Sequence, residues 1–537
     1  MMEVFRTILL EEPLLEFNDE LLCSDPKTGL SHTGFYSKSN QTHRSEIRFG
    51  IIGTDVQIEK TLRWIDNFKN RIEASIEYVG DPSEGIEIID GEVRDYEEDL
   101  EDIIPEAELL QLFKEDILKF KTDDAEESYQ LEKTHNPDFP GFNKDEFDCC
   151  FVHNENYDRK ILERKFQNII DNKELKNFDK AIKIGDLIVE QYENLVDEDN
   201  IHKPDICIVV LSPPIEKKLA SISLGGGQFF NLRRYLKAKF LSVKNAIPSQ
   251  IILEDTIDGK RKSMQDESFQ AWNFCIANYY KNSCVPWTIS IEEKNSCFVG
   301  ISFNKVLDSE EHLKRASVAQ AFNHEGDGII FMGKQFEWDH KEMNTRAPHL
   351  THEYAKALIG KVLKEYNKHN PYPPNRVVVH KTTDFWDSAI SADYPEVEGL
   401  RDGIIEELGD EVVIDFVTVK SSNLKLLREP GKYPVHRGTL MKVNDKQGVL
   451  YTTGYIPYYE SYPGLHVPHP IEVSIYSGDS SIEKVSKEIM SLTKLNFNNC
   501  NFYSSLPITI QFSKRVGEII QYLDDGVVPP SKYYYYM

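Results

Sequence analysis

The sequence has little positive charge for its size. Its 537 residues include 62 Lys and Arg against 89 Asp and Glu, which gives a formal net charge of −27. The mean field of such a chain repels polyanions, so it argues against indiscriminate binding to DNA, RNA or an anionic membrane. Any site for nucleic acid must therefore be a local basic pocket.

The sequence also has no paired cysteines and no long apolar run. Its eight cysteines are scattered, without a C-x-x-C pair or the Cys/His spacing of a zinc site. No apolar stretch is long enough to cross a bilayer, and acidic residues interrupt the short apolar run at the start, which is not typical of a signal peptide. We therefore expect reduced thiols in a soluble, cytoplasmic protein that binds no membrane.

A chain of this length is expected to form two or more domains, because one hydrophobic core rarely organises so many residues. Hydrophobic residues make up 40% of it, which is typical of a folded protein. The segment from about 91 to 130 stands apart, with 15 acidic and four basic residues. It is either a set of solvated surface helices or an acidic surface that meets a basic partner or fills an empty nucleic-acid channel.

From about residue 204 the sequence predicts an α/β protein. A continuous apolar run, "DICIVVLS", is typical of a strand covered on both faces, and a helix, a strand and a second helix follow it. This pattern predicts a Rossmann-like, doubly wound unit over 201–290. Paired strands and then alternating helices and strands predict an RNase H-like domain over 291–537, and 1–200 is predicted to be an N-terminal extension of the first unit.

The helix of the first unit carries the most informative spacing. Tyr235 and Lys239 lie four residues apart and so share one helix face. Gln250 opens the next strand and Lys281 lies near the end of the following helix, and in a doubly wound fold these positions can converge. Together they offer cations, an amide and a ring, which suit a terminal phosphate and the first base of a nucleic acid. The region is basic and contains a single acid, Glu216, among Lys217, Lys218, Arg233, Arg234, Lys237, Lys239 and Lys244.

A series of stretches resembles the short prokaryotic Argonaute proteins, which consist of a MID and a PIWI domain and lack the N and PAZ domains. The series includes "FVGISF", "RVVVHKT", "HRGTL" and "LPITIQFSKRVGEI", and it spans most of the chain from about residue 200. The resemblance implies that 201–290 is the MID core and 291–537 the PIWI domain. It also implies that MID holds the 5′ phosphate of a guide through the residues matching the family motif, which are Tyr235, Lys239, Gln250 and Lys281.

The resemblance implies two further kinds of contact. In many relatives a divalent ion helps to hold the 5′ phosphate, which implies Mg²⁺ bound with the C-terminal carboxylate, here that of Met537. Contacts to the nucleic-acid backbone are expected from a second set of donors, each of which could equally form a surface salt bridge. These are Arg234, Lys381, Thr382, Arg437, Lys514 and Arg515.

The PIWI nuclease is expected to be inactive. PIWI nucleases hold two divalent cations with Asp and Glu side chains, because hard Mg²⁺ prefers anionic oxygens. At the matching positions this sequence has Ser302, Lys381 and, at the last position, Asn496 or Asn498. A lysine ammonium there would repel the metal. Asp415, in the middle of a predicted strand, could belong to a different metal site, but such a residue is more often structural and hydrogen-bonded.

A guide-binding protein that does not cut needs another output. By resemblance, a small guide RNA pairs with complementary single-stranded invader DNA, and the complex then activates a separate subunit that carries an APAZ region and an effector. The effector is expected to be a TIR or sirtuin-like enzyme that depletes NAD in prokaryotic immunity, in a heterodimer that forms a higher oligomer on activation. The rival readings are an active guide-directed endonuclease, a partner with a nuclease effector, and an interaction subunit that binds no guide.

Overall fold

The computed structural model describes residues 6–74 and 136–537, apart from 226–227, 261–264, 306–313, 339–342, 344, 346, 371, 427–433, 461, 463–466 and 525. The acidic segment predicted at about 91–130 lies outside the described residues. None of the described helices is both long enough and apolar enough to cross a membrane.

The described helices and strands alternate along most of the chain. The helices are α1 (Pro26–Thr33), α2 (Asp55–Asn67), α3 (Glu163–Ile170), α4 (Asn177–Val196), α5 (Pro213–Leu219), α6 (Leu232–Ser242), α7 (Glu254–Ile257), α8 (Glu267–Lys281), α9 (His352–His369), α10 (Glu396–Leu408), α11 (Ile482–Leu492) and α12 (Ile508–Ile520). The strands are β1 (Arg6–Leu9), β2 (Leu15–Glu16), β3 (Leu22–Cys23), β4 (Glu46–Gly53), β5 (Cys150–His153), β6 (Arg159–Lys160), β7 (Ile206–Leu211), β8 (Ser221–Gly225), β9 (Gln228–Asn231), β10 (Ser249–Leu253), β11 (Thr288–Ile289), β12 (Ser296–Lys305), β13 (Lys314–Phe322), β14 (Gly328–Glu337), β15 (Arg376–Lys381), β16 (Val413–Ser421), β17 (Thr439–Lys442), β18 (Gln447–Leu450) and β19 (Ile471–Ser477).

The smaller of the two main sheets is parallel. Its strands run in the order β10-β7-β4-β5, and β6 also pairs with β4. Strand β7 is apolar throughout because its residues alternate between two buried cores, with Ile208 in one and Val209 in the other. Helix α8 contributes to the first core and α4 to the second, so helices cover both faces of this sheet.

The larger sheet has nine strands in the order β1-β17-β18-β19-β16-β15-β12-β13-β14. One half of it has the RNase H-like arrangement, in which three antiparallel strands, β14-β13-β12, are followed by the parallel strands β15 and β16. Helices α9 and α10 pack on one face, and α11 and α12 pack on the other. The predicted α/β class, with a Rossmann-like and an RNase H-like part, is confirmed.

The first 200 residues contribute to both sheets. Strands β4 and β5 lie in the smaller sheet, within the segment predicted to be an extension of the first unit. Strand β1 belongs to the larger sheet, because it pairs antiparallel with β17 from Arg6↔Lys442 to Leu9↔Thr439. The first part of the chain therefore contributes strands to both sheets.

A buried ion cluster fixes the segment after β1. The two carboxylate oxygens of Glu12 each lie 2.9 Å from a cation, one from Nε of Arg437 and the other from Nζ of Lys494. Both cationic side chains are fully buried, whereas the carboxylate is 17% exposed. Burial raises the pKa of Glu12, but the two cations outweigh burial and leave this pKa below its usual value.

We expect Glu12→Ala to lower the free energy of unfolding by about 3–5 kcal/mol, because it leaves two buried cations without their acid. The folded-state pKa of Glu12 is lowered, so its contribution is present at neutral pH and is lost as the pH falls through that pKa. Urea denaturation at neutral and acidic pH measures both effects. The matched control is Glu11→Ala, which removes an exposed carboxylate and is expected to change the stability by less than about 0.5 kcal/mol. Equal losses in the two variants would contradict the role of the cluster.

Candidate nucleic-acid interface

Helix α6 carries two basic faces. It begins after Asn231, whose side chain accepts a hydrogen bond from an amide of the first turn and so caps the helix. Residues four apart share a face, so Arg233 lies with Lys237, and Tyr235 lies with Lys239 on a different face. Both pairs have the same spacing in the sequence, and their surroundings distinguish them.

The face with Lys237 meets the start of β10 and the end of α8. Nζ of Lys237 lies 2.6 Å, and Nζ of Lys281 3.0 Å, from the same carbonyl oxygen of Ser249. Lys281 also donates to the side-chain oxygen of Gln250, and Arg233 donates at 3.4 Å to the carbonyl of the strand residue after Gln250. We call Arg233, Lys237, Gln250 and Lys281 the cationic pocket.

Lys237 and Lys281 bring two buried amino groups of the cationic pocket close together. Lys237 is 8% exposed and Lys281 is 2% exposed, while Arg233 is exposed at the rim. No carboxylate among the described side chains acts on either lysine. Because both nitrogens contact one oxygen, they lie at most about 6 Å apart, where two full charges repel by about 3 kcal/mol at an effective dielectric of 20.

The pKa values of both lysines reflect this environment. Burial, followed by the charge of Arg233, lowers the pKa of Lys237 to about 7. Burial also lowers the pKa of Lys281 far below its ordinary value, and the charges of Lys237 and Arg233 add to that effect. A bound anion would relieve both the repulsion and the lack of a counter-charge, so the pocket is suited to an anion.

Tyr235 and Lys239, predicted as phosphate ligands, do not reach this pocket. The Tyr235 hydroxyl donates at 3.1 Å to Asp186, and its ring covers Gly185 on α4, where an added Cβ would lie 2.6 Å from the ring. Lys239 pairs at 2.8 Å with Asp524, just after α12. Of the four predicted residues, Gln250 and Lys281 are therefore brought together, and Arg233 and Lys237 take the place of the other two.

A second candidate region lies at the ends of β12 and β15 in the larger sheet. The parallel register pairs Gly300 with His380 and Ile301 with Lys381. An added Cβ at Gly300 would lie 1.9 Å from a carbonyl oxygen of α12, so this helix packs tightly on that face of the sheet. Ser302 faces the same way, and its hydroxyl donates at 3.1 Å to the carbonyl of Ser513 in α12.

The predicted role of Lys381 does not fit this geometry. Side chains alternate along a strand, so His380 faces α12, whereas Lys381 points to the opposite face. There it is 1% exposed and pairs with Glu396, which also contacts His349 at 2.9 Å. Lys381 is thus neither beside Ser302 nor accessible to a phosphodiester, because its ammonium is enclosed by its own counter-charge.

Thr382 is the residue that continues the strand on the side of Ser302. It is exposed and comes directly after β15, two positions beyond His380. Burial raises the pKa of Glu396, but the Lys381 ammonium outweighs burial and keeps this pKa low. The two strand ends on the α12 side therefore carry hydroxyls, and the buried Lys381–Glu396 pair holds the loop after β15 from the other face.

Comparison with known proteins gives matches at the level of structure. No protein-family model matches the chain, and no curated protein matches its sequence. Argonaute of Clostridium butyricum, solved with a guide DNA and a 19-mer target DNA, superposes over 98% of this chain with a TM-score of 0.57 and 14% identity. Drosophila Piwi superposes over 99% with a TM-score of 0.56 and 12% identity, and A. aeolicus Argonaute over 98% with a TM-score of 0.52 and 15% identity.

The chain has the fold of the MID and PIWI domains of Argonaute. It covers 54% of the Clostridium butyricum protein, 56% of Drosophila Piwi and 55% of the A. aeolicus protein, so it spans about half the length of these neighbours. The smaller sheet and its helices correspond to the Rossmann-like MID part, and the larger sheet corresponds to the RNase H-like PIWI part.

The MID and PIWI parts are joined through α6 and α12. Arg234, predicted to contact the nucleic-acid backbone, forms an ion pair at 2.5 Å with Glu518 of α12. The hydroxyl of Tyr522 accepts a hydrogen bond at 2.9 Å from the amide of Asn231 at the cap of α6. These contacts, with the Lys239–Asp524 ion pair described above, bind the second face of α6 to the PIWI part.

The remaining predicted contacts have different surroundings. Arg437 is buried in the cluster with Glu12, and its guanidinium lies 4.4 Å from the ring of Tyr503, so the structure does not place it at an accessible surface. Arg515 is half-buried on α12, 5.4 Å from the ring of Phe512, and its contact to nucleic acid stays a prediction. The side chain of Lys514 lies outside the described residues.

Two polar residues of the predicted nuclease site have structural partners. Asn496 is 6% exposed and donates at 3.1 Å to the hydroxyl of Ser504. Asp415 is fully buried and accepts a hydrogen bond at 2.9 Å from Arg376 and another at 2.7 Å from Ser480. Asp415 therefore fits the structural reading better than that of a metal ligand.

The side chains of the cationic pocket suit an anion and not a divalent cation. Two lysines and an arginine repel Mg²⁺, and hard cations need anionic oxygens, which this pocket does not supply from its own side chains. The C-terminal tail packs against the end of α8, where the hydroxyl of Tyr534 contacts that of Ser283 at 2.9 Å. Met537 ends this tail, and its role as a metal ligand stays a prediction.

The unfolding temperature with and without inorganic phosphate distinguishes the roles of the two faces of α6. We expect inorganic phosphate to raise the unfolding temperature of the protein, and we expect Lys237→Met to abolish most of that increase. Lys239→Met removes an ion pair outside the pocket and is expected to preserve the increase in unfolding temperature that phosphate causes. Without phosphate, Lys237→Met is expected to be as stable as the parent or more stable, because it removes a buried amino group whose charged form no carboxylate of the described residues stabilises. A phosphate effect lost in Lys239→Met and kept in Lys237→Met would restore the original prediction.

Proposed function

We propose that this chain binds a short guide nucleic acid by its 5′ phosphate in the cationic pocket. The observation that carries the proposal is the convergence of Lys237 and Lys281 on one carbonyl oxygen, with Arg233 at the rim and no acidic side chain among the described residues acting on the lysines. The fold supports it, because the Clostridium butyricum neighbour was solved with a guide DNA and a target DNA.

A terminal phosphate fits these side chains better than an internal one. It carries a charge of about −1.5 to −2 near neutral pH and has three oxygens that accept hydrogen bonds. Two ammonium groups, a guanidinium and an amide can neutralise that charge and donate to all three oxygens. An internal phosphodiester carries one charge and continues in both directions, so it matches two buried lysines less well.

We propose that the PIWI part does not cut. Catalysis of the RNase H type needs carboxylates that hold two divalent cations. Ser302 within β12 and Thr382 directly after β15 lie on the α12 side, and both carry neutral hydroxyls. The nearby acids have other partners, since Asp384 pairs with Lys420 at 2.6 Å and Asp415 is bound by Arg376.

The proposed output therefore comes from a second subunit. In this proposal, the guide is a small RNA, the target is complementary single-stranded invader DNA, and base pairing supplies the sequence specificity. Target recognition activates a bound APAZ-containing subunit with a TIR or sirtuin-like effector, which depletes NAD in prokaryotic immunity. The resemblance in sequence supports this step.

Binding to defined RNAs tests the guide pocket. We expect a short 5′-phosphorylated RNA to bind at least tenfold more tightly than the same RNA with a 5′ hydroxyl, because charge-assisted hydrogen bonds to the phosphate are each worth about 1.5–3 kcal/mol. Lys281→Met is expected to remove this preference. The control Lys244→Met, which removes an exposed lysine paired with Glu198 on the surface, is expected to retain it. Equal affinity for both RNAs in the parent protein would contradict the proposal.

Cleavage assays test the proposed lack of nuclease activity. We expect the guide-loaded protein to leave a fully matched DNA or RNA target intact with either Mg²⁺ or Mn²⁺. Asp415→Asn is the matched variant, because it removes the carboxylate on which a different metal site would depend, and product from the parent protein that disappears in Asp415→Asn would establish the rival endonuclease reading. Product that appears equally in both proteins would instead indicate a contaminating nuclease.

A further inference from the structure

We propose that an anion enters the cationic pocket together with protons, because it favours the charged forms of Lys237 and Lys281, which crowd around one carbonyl oxygen. The natural ligand in this inference, a 5′-phosphorylated guide, rests on the proposed function. The coupling itself follows from the arrangement of the two lysines around Ser249.

The hydrogen bonds within the cationic pocket do not require charged lysines. The carbonyl oxygen of Ser249 accepts from both Nζ atoms, at 2.6 Å and 3.0 Å, and the side-chain oxygen of Gln250 accepts from Lys281. A neutral amine still has two N–H donors, so it can make these bonds without a proton to spare. Two full charges on nitrogens that share one oxygen would instead repel each other in a buried setting.

Among the residues that the structure describes, the side chains that act on the two lysines do not compensate a positive charge. On α6 itself the neighbour is Arg233, a permanent cation. From β7 the neighbour is Cys207, whose pKa burial raises, so that its thiol is neutral. From β10 the neighbours are the neutral residues Ser249 and Gln250. Lys237 on α6 and Lys281 on α8 are also neighbours of each other. The terminal carboxylate of Met537 ends the tail that packs against α8.

The direction of the pH effect follows from these surroundings. The pKa of Lys237 is lowered to about 7 by burial and by Arg233, and that of Lys281 is also far below its ordinary value. A phosphate bound beside them raises both pKa values, so binding takes up protons. Above about pH 7, the loss of charge on Lys237 should lower the affinity by up to about tenfold per pH unit. Below about pH 6 the phosphate loses its second charge, so affinity should be greatest near neutral pH.

Calorimetric titration of the full chain, freed of bound nucleic acid, tests the coupling. The probes are a short 5′-phosphorylated RNA and its 5′-hydroxyl form, each measured in two buffers of different ionisation enthalpy. For the phosphorylated RNA at about pH 8 we expect a buffer-dependent heat that corresponds to uptake of about one proton or more. We also expect the dissociation constant to rise at least tenfold between about pH 7 and about pH 9.

Two substitutions at one position distinguish proton coupling from a structural role. Lys237→Arg keeps the charge at every pH, so it is expected to bind the phosphorylated RNA with a weaker pH dependence and with about one proton less taken up. Lys237→Met removes both the charge and the proton uptake at this position and lowers the affinity. The surface control Lys244→Met is expected to match the parent in proton uptake.

The outcomes separate this inference from the proposed function. If the phosphorylated RNA binds more tightly than the hydroxyl form but takes up no protons and shows a flat pH profile, the coupling is wrong and guide binding stands. If neither pH nor phosphate changes the affinity, both proposals are wrong. Proton uptake that persists unchanged in Lys237→Arg and Lys237→Met would move the coupling to another group and overturn the assignment.

Discussion

The convergence of two buried lysines on the carbonyl oxygen of Ser249 is the interaction on which the proposed function depends. The body of the protein is strongly acidic, so it repels nucleic acid at long range and leaves recognition to a small, recessed cationic site. Such an arrangement favours a ligand that carries its charge at one end. It also discourages the nonspecific adsorption that a basic surface would invite.

Helix α6 connects this site to the rest of the molecule. One of its faces carries Arg233 and Lys237, and the other is fixed to the PIWI part by ion pairs with α12 and the turn that follows it. Helix α12 in turn packs directly on Gly300 of β12. The cationic pocket would hold the end of a guide, and strands β12 and β15 would lie along a guide–target duplex. Two packed helices, α6 and α12, therefore connect these two regions.

The sequence predicted the elements better than the contacts between them. The apolar run of β7 and the alternation that follows it have local signals, so the α/β class and the two kinds of sheet could be predicted. The choice between Arg233–Lys237 and Tyr235–Lys239 could not be predicted from the sequence, because both pairs have helical spacing. Only their packing distinguishes them, since Tyr235 lies against α4 and Lys237 lies against β10. The sequence matched Lys381 to a metal-binding position of PIWI, but side chains alternate along a strand, and a shift by one residue places Lys381 on the face opposite Ser302. The Glu12–Arg437–Lys494 cluster had no signal in the sequence, since its partners are distant along the chain.

Strand β1 has a consequence for how the protein is made. Its partner, β17, lies in the last quarter of the sequence, so a ribosome must synthesise most of the chain before the first strand can find its neighbour. Until then β1 has no strand with which to pair, and Glu12 has neither of its two cationic partners. Pairings between such distant segments fold slowly and leave strand edges open to wrong partners. Expression of this protein should accordingly benefit from slow translation and from chaperones that shield the early strands.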